Sequence, residues 1–206
     1  MSSLDRSRLS ILDLLYERKR AEFAERLSEL RDESVIYVVE LAGCPKKREF
    51  RVRFPELTFR FDPQLILGDV AHAGLEHLLS SVGFEVEKEV SERVEVDGRV
   101  YVVKGRVDAM SEDRIVEIKT GRPGQRLPQE HHVLQLKIYM ALTGSRRGTL
   151  IYVTGDRLVE FEVEAESRLA LGELVLEHLR ADKVPKWDWE CRYCAFSRLC
   201  PRRLPE

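Results

Sequence analysis

Between Phe84 and Lys119 apolar residues alternate with polar ones through FEVEKEV, ERVEV, RVYVVKGRVDAM and RIVEIKT, with Asp97-Gly98 separating the second and third runs. A period of two puts neighbouring side chains on opposite faces of an extended chain, and Asp-Gly readily adopts the positive-φ conformation of a tight hairpin. The pattern predicts successive, mostly antiparallel strands, so the chain must build a sheet. Around it the period changes to that of a helix. Leu65 to Val82 spaces Gly68, His72, Leu75 and Leu79 by three and four and stops at Gly83, while Glu130 to Thr143 stops at Gly144. TLIYVT and LVEFEV flank Gly155-Asp156 as a further hairpin, and a last helix is expected over roughly Ala165 to Ala181.

The N-terminal stretch Leu4 to Leu30 reads as one long amphipathic helix that Ser2 or Ser3 can cap; Ser34 to Leu41 reads as a short strand or helix running into the turn at Gly43, Cys44 and Pro45. The expected fold class is therefore α/β, a mixed sheet with helices on its faces. At 206 residues the chain supports one compact domain spanning 1–206, with a cysteine-rich appendage over 185–206. No run approaches the about 18 apolar residues of a membrane span, which leads to the expectation of a soluble, cytoplasmic protein without a membrane partner. A net charge of -2 argues against a uniformly basic nucleic-acid coat, so any such surface must be a local patch. Asn is absent and Arg outnumbers Lys, which fits either a thermophile or a GC-rich genome.

The chemistry gathers where two of these strands end. Asp108 closes Gly105-Arg106-Val107-Asp108, and Glu117-Ile118-Lys119 lies on the next strand, where Glu117 and Lys119 project together while Ile118 enters the core. Two carboxylates held close repel each other unless a cation lies between them, and hard oxygen donors suit Mg²⁺ or Mn²⁺. Lys119 can then orient a water or neutralise charge growing on a phosphate, which together describes phosphodiester hydrolysis. His72 can add a nitrogen ligand and the Ile118 carbonyl an oxygen. Gln135 and Tyr139, one helical turn apart, can position Lys119 or a phosphate. The Gly- and Pro-rich stretch between Lys119 and Gln135, with Arg122 and Arg126, suits a loop touching a DNA backbone.

Cys191, Cys194 and Cys200 form a C-x2-C-x5-C cluster, and the remaining cysteine, Cys44, lies far upstream beside Pro45. Cys44 can complete a four-thiolate site joining the two ends of the chain. An iron–sulfur cluster, zinc and disulfides all satisfy such a set; the Cys-Pro pairs and the aromatic surroundings favour the cluster.

Taken in order, GDVAH with His72, GRVD with Asp108, EIK with Glu117 and Lys119, and QLKIY with Gln135 and Tyr139 resemble the RecB-type branch of the PD-(D/E)xK nuclease superfamily. With the split cysteines added, the chain from Cys44 to Cys200 resembles the CRISPR-associated RecB-like exonucleases, the fourth Cas family. The resemblance implies a restriction-endonuclease-like core with an iron–sulfur appendage, and a metal-dependent exonuclease acting on single-stranded DNA, usually 5′ to 3′, in preparing DNA for new spacers beside the CRISPR integrase proteins. It implies that His72, Asp108, Glu117 and the Ile118 carbonyl hold the catalytic metal, with Lys119 as base or water-orienting group and Gln135 and Tyr139 in support. Cys44, Cys191, Cys194 and Cys200 would hold the cluster, four irons favoured over two. A non-catalytic DNA- or recombinase-binding subunit and a repair nuclease outside CRISPR are the alternatives.

Other features have plainer readings. His77, His131, His132 and His178 are expected at the surface, and Trp187 and Trp189 in packing around the cysteines. Of the basic runs, only Lys46 to Arg53 is read as a strand-binding edge, because it adjoins Cys44.

Overall fold

The computed structural model describes residues 10–165 and 169–205. Its elements run α1 (Ile11–Glu29), β1 (Val35–Tyr37), α2 (Val38–Leu41), α3 (Lys47–Arg53), α4 (Pro63–Ser81), β2 (Glu85–Val96), β3 (Arg99–Met110), β4 (Arg114–Gly121), α5 (Glu130–Thr143), β5 (Arg147–Thr154), β6 (Leu158–Glu164) and α6 (Leu171–Arg180). Local chemistry explains several boundaries. Asp62 accepts from the Gln64 and Leu65 amides and Pro63 opens the first turn, which caps α4. Asp97 and Gly98 both take positive φ and join β2 to β3. Gly144, at φ 74, ends α5 in the left-handed conformation.

Among the described residues the strands form one mixed sheet, ordered β1-β3-β4-β5-β6, with β2 along the other side of β3. Pairs β1–β3 and β4–β5 are parallel; β2–β3, β3–β4 and β5–β6 are antiparallel. The decisive detail lies along β3. β1 pairs with Val102 to Lys104, and β4 pairs only with Ala109 and Met110, so neither strand pairs with Gly105 to Asp108. The sheet opens there.

Ile36, Val38, Val103, Val107, Leu136 and Leu150 form the main core beneath α2, α5 and α6, while Ala109, Val116 and Ile118 pack against Leu75 and Leu79 of α4. Helices therefore cover both faces. No described helix is long and apolar enough to cross a membrane.

The structure refines the ends of the chain. α1 starts at Ile11; the earlier part of the expected helix, with Ser2, Ser3, Leu4 and Leu9, lies outside the described residues. None of its residues is fully buried, and Ile11 and Leu12 are exposed, so its apolar stripe is only half covered. The last helix begins at Leu171, six residues later than periodicity suggests, and residues 166–168 of that expectation are not described. Three histidines expected at the surface are half-buried instead: His131 stacks on Trp189, His132 bonds the Tyr152 hydroxyl at 2.9 Å, and burial lowers His178 to about 4. Helical periodicity could not reveal this, because tertiary partners cover them. His77 is exposed.

Candidate active site

Where β3 and β4 part, side chains take over the ladder. Asp108 Oδ2 accepts the Ile118 amide at 2.7 Å, a bond that a β3 carbonyl would otherwise make. Asp108 Oδ1 lies 3.5 Å from His72 Nδ1 on α4, and this contact, with the neighbouring charge, raises the His72 pKa despite burial. Gly68 lets α4 approach, since a Cβ there would stand 3.1 Å from Thr120 Oγ1 of β4.

On β4, Glu117 is 2 % exposed and its Oε1 accepts from Lys119 Nζ at 2.6 Å and from Gln135 Nε2 at 2.7 Å. Gln135 Oε1 also accepts from Lys119 Nζ at 3.1 Å, closing a three-membered ring of contacts. Glu117 Oε2 is buried and finds no partner among the described residues. Burial raises the Glu117 pKa to about 7, with the Asp108 charge adding to the rise and Lys119 opposing it. An unpaired buried carboxylate oxygen is costly, and a proton or a bound cation removes the cost.

Sequence reasoning overlooked Glu76. Its carboxylate, the Asp108 carboxylate and the His72 imidazole place ligand atoms within 4.8 Å of one another, a set that could hold a metal ion. Glu76 follows His72 by four residues on one helix, which sets the two side by side but does not bring in Asp108. Glu117 is not in that set; its Oε1 is held by Lys119 and Gln135. The Ile118 side chain is buried in the core, and its backbone enters the site through Asp108. Tyr139 is 3 % exposed and wedged over Gly105, where a Cβ would meet its ring at 2.6 Å. Its hydroxyl interacts with Gln135, and burial raises its pKa. Tyr139 thus braces Gln135 from below.

The four cysteines line one cavity with Phe50, Glu190 and Phe196. Four thiols gathered round one cavity are a donor set that suits zinc and an iron–sulfur cluster alike. Glu190 anchors this region: Oε1 accepts from the Cys44 amide at 3.0 Å and from Lys47 Nζ at 2.6 Å, and Oε2 from the Trp187 amide at 3.1 Å. Trp187 Nε1 donates to the Ala42 carbonyl at 2.8 Å.

Comparison with known proteins agrees with this arrangement. Residues 79–201 match the PD-(D/E)XK nuclease superfamily. The CRISPR-associated exonuclease Cas4 of Saccharolobus solfataricus is 36 % identical over 194 residues, covering 90 % of this chain and 96 % of that protein. The crystal structure of SSO0001 superposes with a TM-score of 0.86 at 35 % identity, covering 96 % of this chain and all of the other.

Proposed function

Since the chain belongs to the PD-(D/E)XK nuclease superfamily, among the CRISPR-associated Cas4 exonucleases, we propose that its metal-dependent DNA exonuclease activity is directed at single strands, from 5′ to 3′, during spacer acquisition. In this reading residues 1–206 work as one nuclease unit, 185–206 with Cys44 being its appendage, beside the CRISPR integrase proteins in the cytoplasm.

The observation that carries the reading is the junction of Asp108 with Lys119–Glu117–Gln135 at the break in the sheet. The donor set fits Mg²⁺ or Mn²⁺: His72, Asp108 and Glu76 converge, Ile118 contributes its backbone, and Glu117 Oε2 has no other described partner. Such an ion, when bound, polarises the scissile phosphate and acidifies a water. Glu117 and Gln135 hold the Lys119 ammonium in place, so that its charge meets the charge growing on the phosphate without further reorganisation. Gln135 positions Lys119, and Tyr139 positions Gln135.

Four thiols around one cavity, with the Cys-Pro pairs and Phe50 and Phe196 beside them, support an iron–sulfur cluster, four irons rather than two. The cluster would tie the ends of the chain together. Anaerobic purification with iron and sulfide analysis tests it; zinc without sulfide would reject it.

For the nuclease centre, end-labelled single-stranded DNA with Mn²⁺ should be digested by the parent protein and not by Lys119→Ala or Asp108→Ala variants of unchanged circular dichroism. Variants as active as the parent would refute the assignment.

A further inference from the structure

A second cleft lies away from the nuclease centre, between the C-terminal half of α1, α3 with the turn that follows it, and the cysteine-rich appendage. Four cations line it, Arg26, Lys47, Arg51 and Arg60, and no carboxylate does. Lys47 is neutralised by Glu190 and Arg60 by Asp62 at 2.7 Å, but Arg26 and Arg51 have no ion-pair partner among the described residues. Burial disfavours the charged form of Arg51 and the Arg26 charge adds to this, while Glu40 and Cys194 oppose it from a distance. Two guanidinium groups set together with no ion-pair partner gain from a ligand that brings the negative charge.

The rim of the cleft adds a second feature. Tyr193, 67 % exposed, lines it and stands 6.4 Å, centroid to centroid, from Trp189, which is 41 % exposed. Trp189 in turn lies 4.7 Å from the His131 ring, and His131 is near enough to Lys119 for that charge to act on it. Aromatic surfaces therefore lead stepwise from the cleft to the nuclease centre. Exposed aromatic rings beside unpaired arginines are the pairing that a single strand offers to bind, bases to the rings and phosphates to the cations.

We propose that this cleft is a second DNA site, which holds the sugar–phosphate backbone of a single strand while Tyr193 and Trp189 stack its bases on the way to Lys119. The ligand identity rests on the nuclease reading; the cationic cleft does not. It also gives Lys47 and Arg51, within the basic run Lys46 to Arg53, a defined partner surface on α1 and the appendage.

The test is equilibrium binding of a fluorescent oligothymidylate to the full chain in EDTA, where no cleavage occurs, over a salt series. Each phosphate contact on a single strand contributes about 0.7 to the salt slope, so Arg26→Gln/Arg51→Gln should flatten the slope by about 1.4 and weaken binding about 25-fold at roughly 0.1 M salt. Arg26→Gln alone, at an exposed position, should flatten the slope by about 0.7 and weaken binding about fivefold, and it covers the case in which Arg51 is needed for folding. Arg93→Gln/Arg99→Gln removes two exposed cations from the β2–β3 hairpin and should leave binding near the parental value. Tyr193→Ala should weaken a base-bearing strand at least about fivefold and leave an abasic strand unchanged. Equal losses in the cleft and hairpin variants, no loss in either cleft variant, or displacement of the strand by polyglutamate as readily as by DNA would overturn the proposal. Cleavage by Lys119→Ala is a separate measurement, so failure of the nuclease assignment leaves these outcomes readable.

Discussion

Replacing Glu190 with Ala removes a carboxylate that accepts from both the Cys44 turn and the appendage. Three donors then lose their partner: the amides of Cys44 and Trp187, both part-buried, and the Lys47 ammonium. Glu190 is 2 % exposed, so water cannot easily replace its carboxylate, whereas Lys47, at 29 %, can turn to solvent. Hydrogen bonds to a charged group contribute roughly 1.5–3 kcal/mol each, and two backbone donors left unmet give about 3–6 kcal/mol. Breaking a buried ion pair by deleting one member costs about 3–5 kcal/mol, which agrees. For a chain of this size each kcal/mol moves Tm by about 2–4 °C, so Glu190→Ala should melt roughly 6–20 °C below the parent. Glu190→Gln keeps the volume and one acceptor and should lose about half as much. Thermal and urea unfolding, with the four thiols in the same state in every protein, measure both. A Glu190→Ala variant within about 1 kcal/mol of the parent would refute the view that this carboxylate, independently of whatever the cysteines bind, fastens the appendage to the Cys44 turn.

Gly105→Ala should destabilise by about 1–3 kcal/mol, because its Cβ would stand 2.6 Å from the Tyr139 ring and 2.9 Å from Val38; a second change, Tyr139→Leu, should recover part of that loss in urea unfolding. Gln135→Leu leaves Lys119 tethered by Glu117 alone and should lower the rate of DNA hydrolysis about 10- to 100-fold with little change in KM, as single-turnover kinetics would show. His178 is held near a pKa of about 4 by burial, against about 6.5 when unfolded, so between those values the unfolded chain binds the extra proton and stability falls as pH is lowered. His178→Gln should make stability less steep over that window by up to about one proton, with no difference above pH 7.

The sheet was legible because its signal is local. Alternation and the Asp97-Gly98 turn fix β2 and β3 without reference to anything distant, and α5 runs from Glu130 to Thr143 where periodicity and Gly144 place it. The contact of Lys119 with Glu117 was legible for the same reason, since two residues on one strand share a face. Glu76 escaped because a lone Glu on an exposed-looking helix carries no signal until Asp108 comes opposite it from another element. Glu190 and Arg48 escaped for a stronger reason. Arg48 donates to the carbonyls of Leu30, Asp32 and Val35 and pairs with Glu40 at 3.2 Å, and all four partners are fixed only when α1, β1 and α3 have met. In sequence it was one more charge in a basic run. His131 and His132 were misplaced likewise, their cover coming from Trp189 and Tyr152.

The break in the sheet explains why these parts belong together. Had β4 continued its ladder down β3, the Ile118 amide would bond a backbone carbonyl and Gly105 to Asp108 would be paired like any strand interior. Because the two strands part after Ala109 and Val116, the Asp108 carboxylate closes the ladder instead, and it does so from a fixed position. The opening could fill with water, which would loosen Asp108 and screen the charges beside it. Tyr139 occupies the space over Gly105, and through Gln135 it braces Glu117 and Lys119. Lys119 is thus held on Glu117, and Asp108 on the Ile118 amide, where the two strands part. A phosphate drawn to Lys119 and a cation drawn to Asp108 would meet there, and this follows from one interrupted strand pairing.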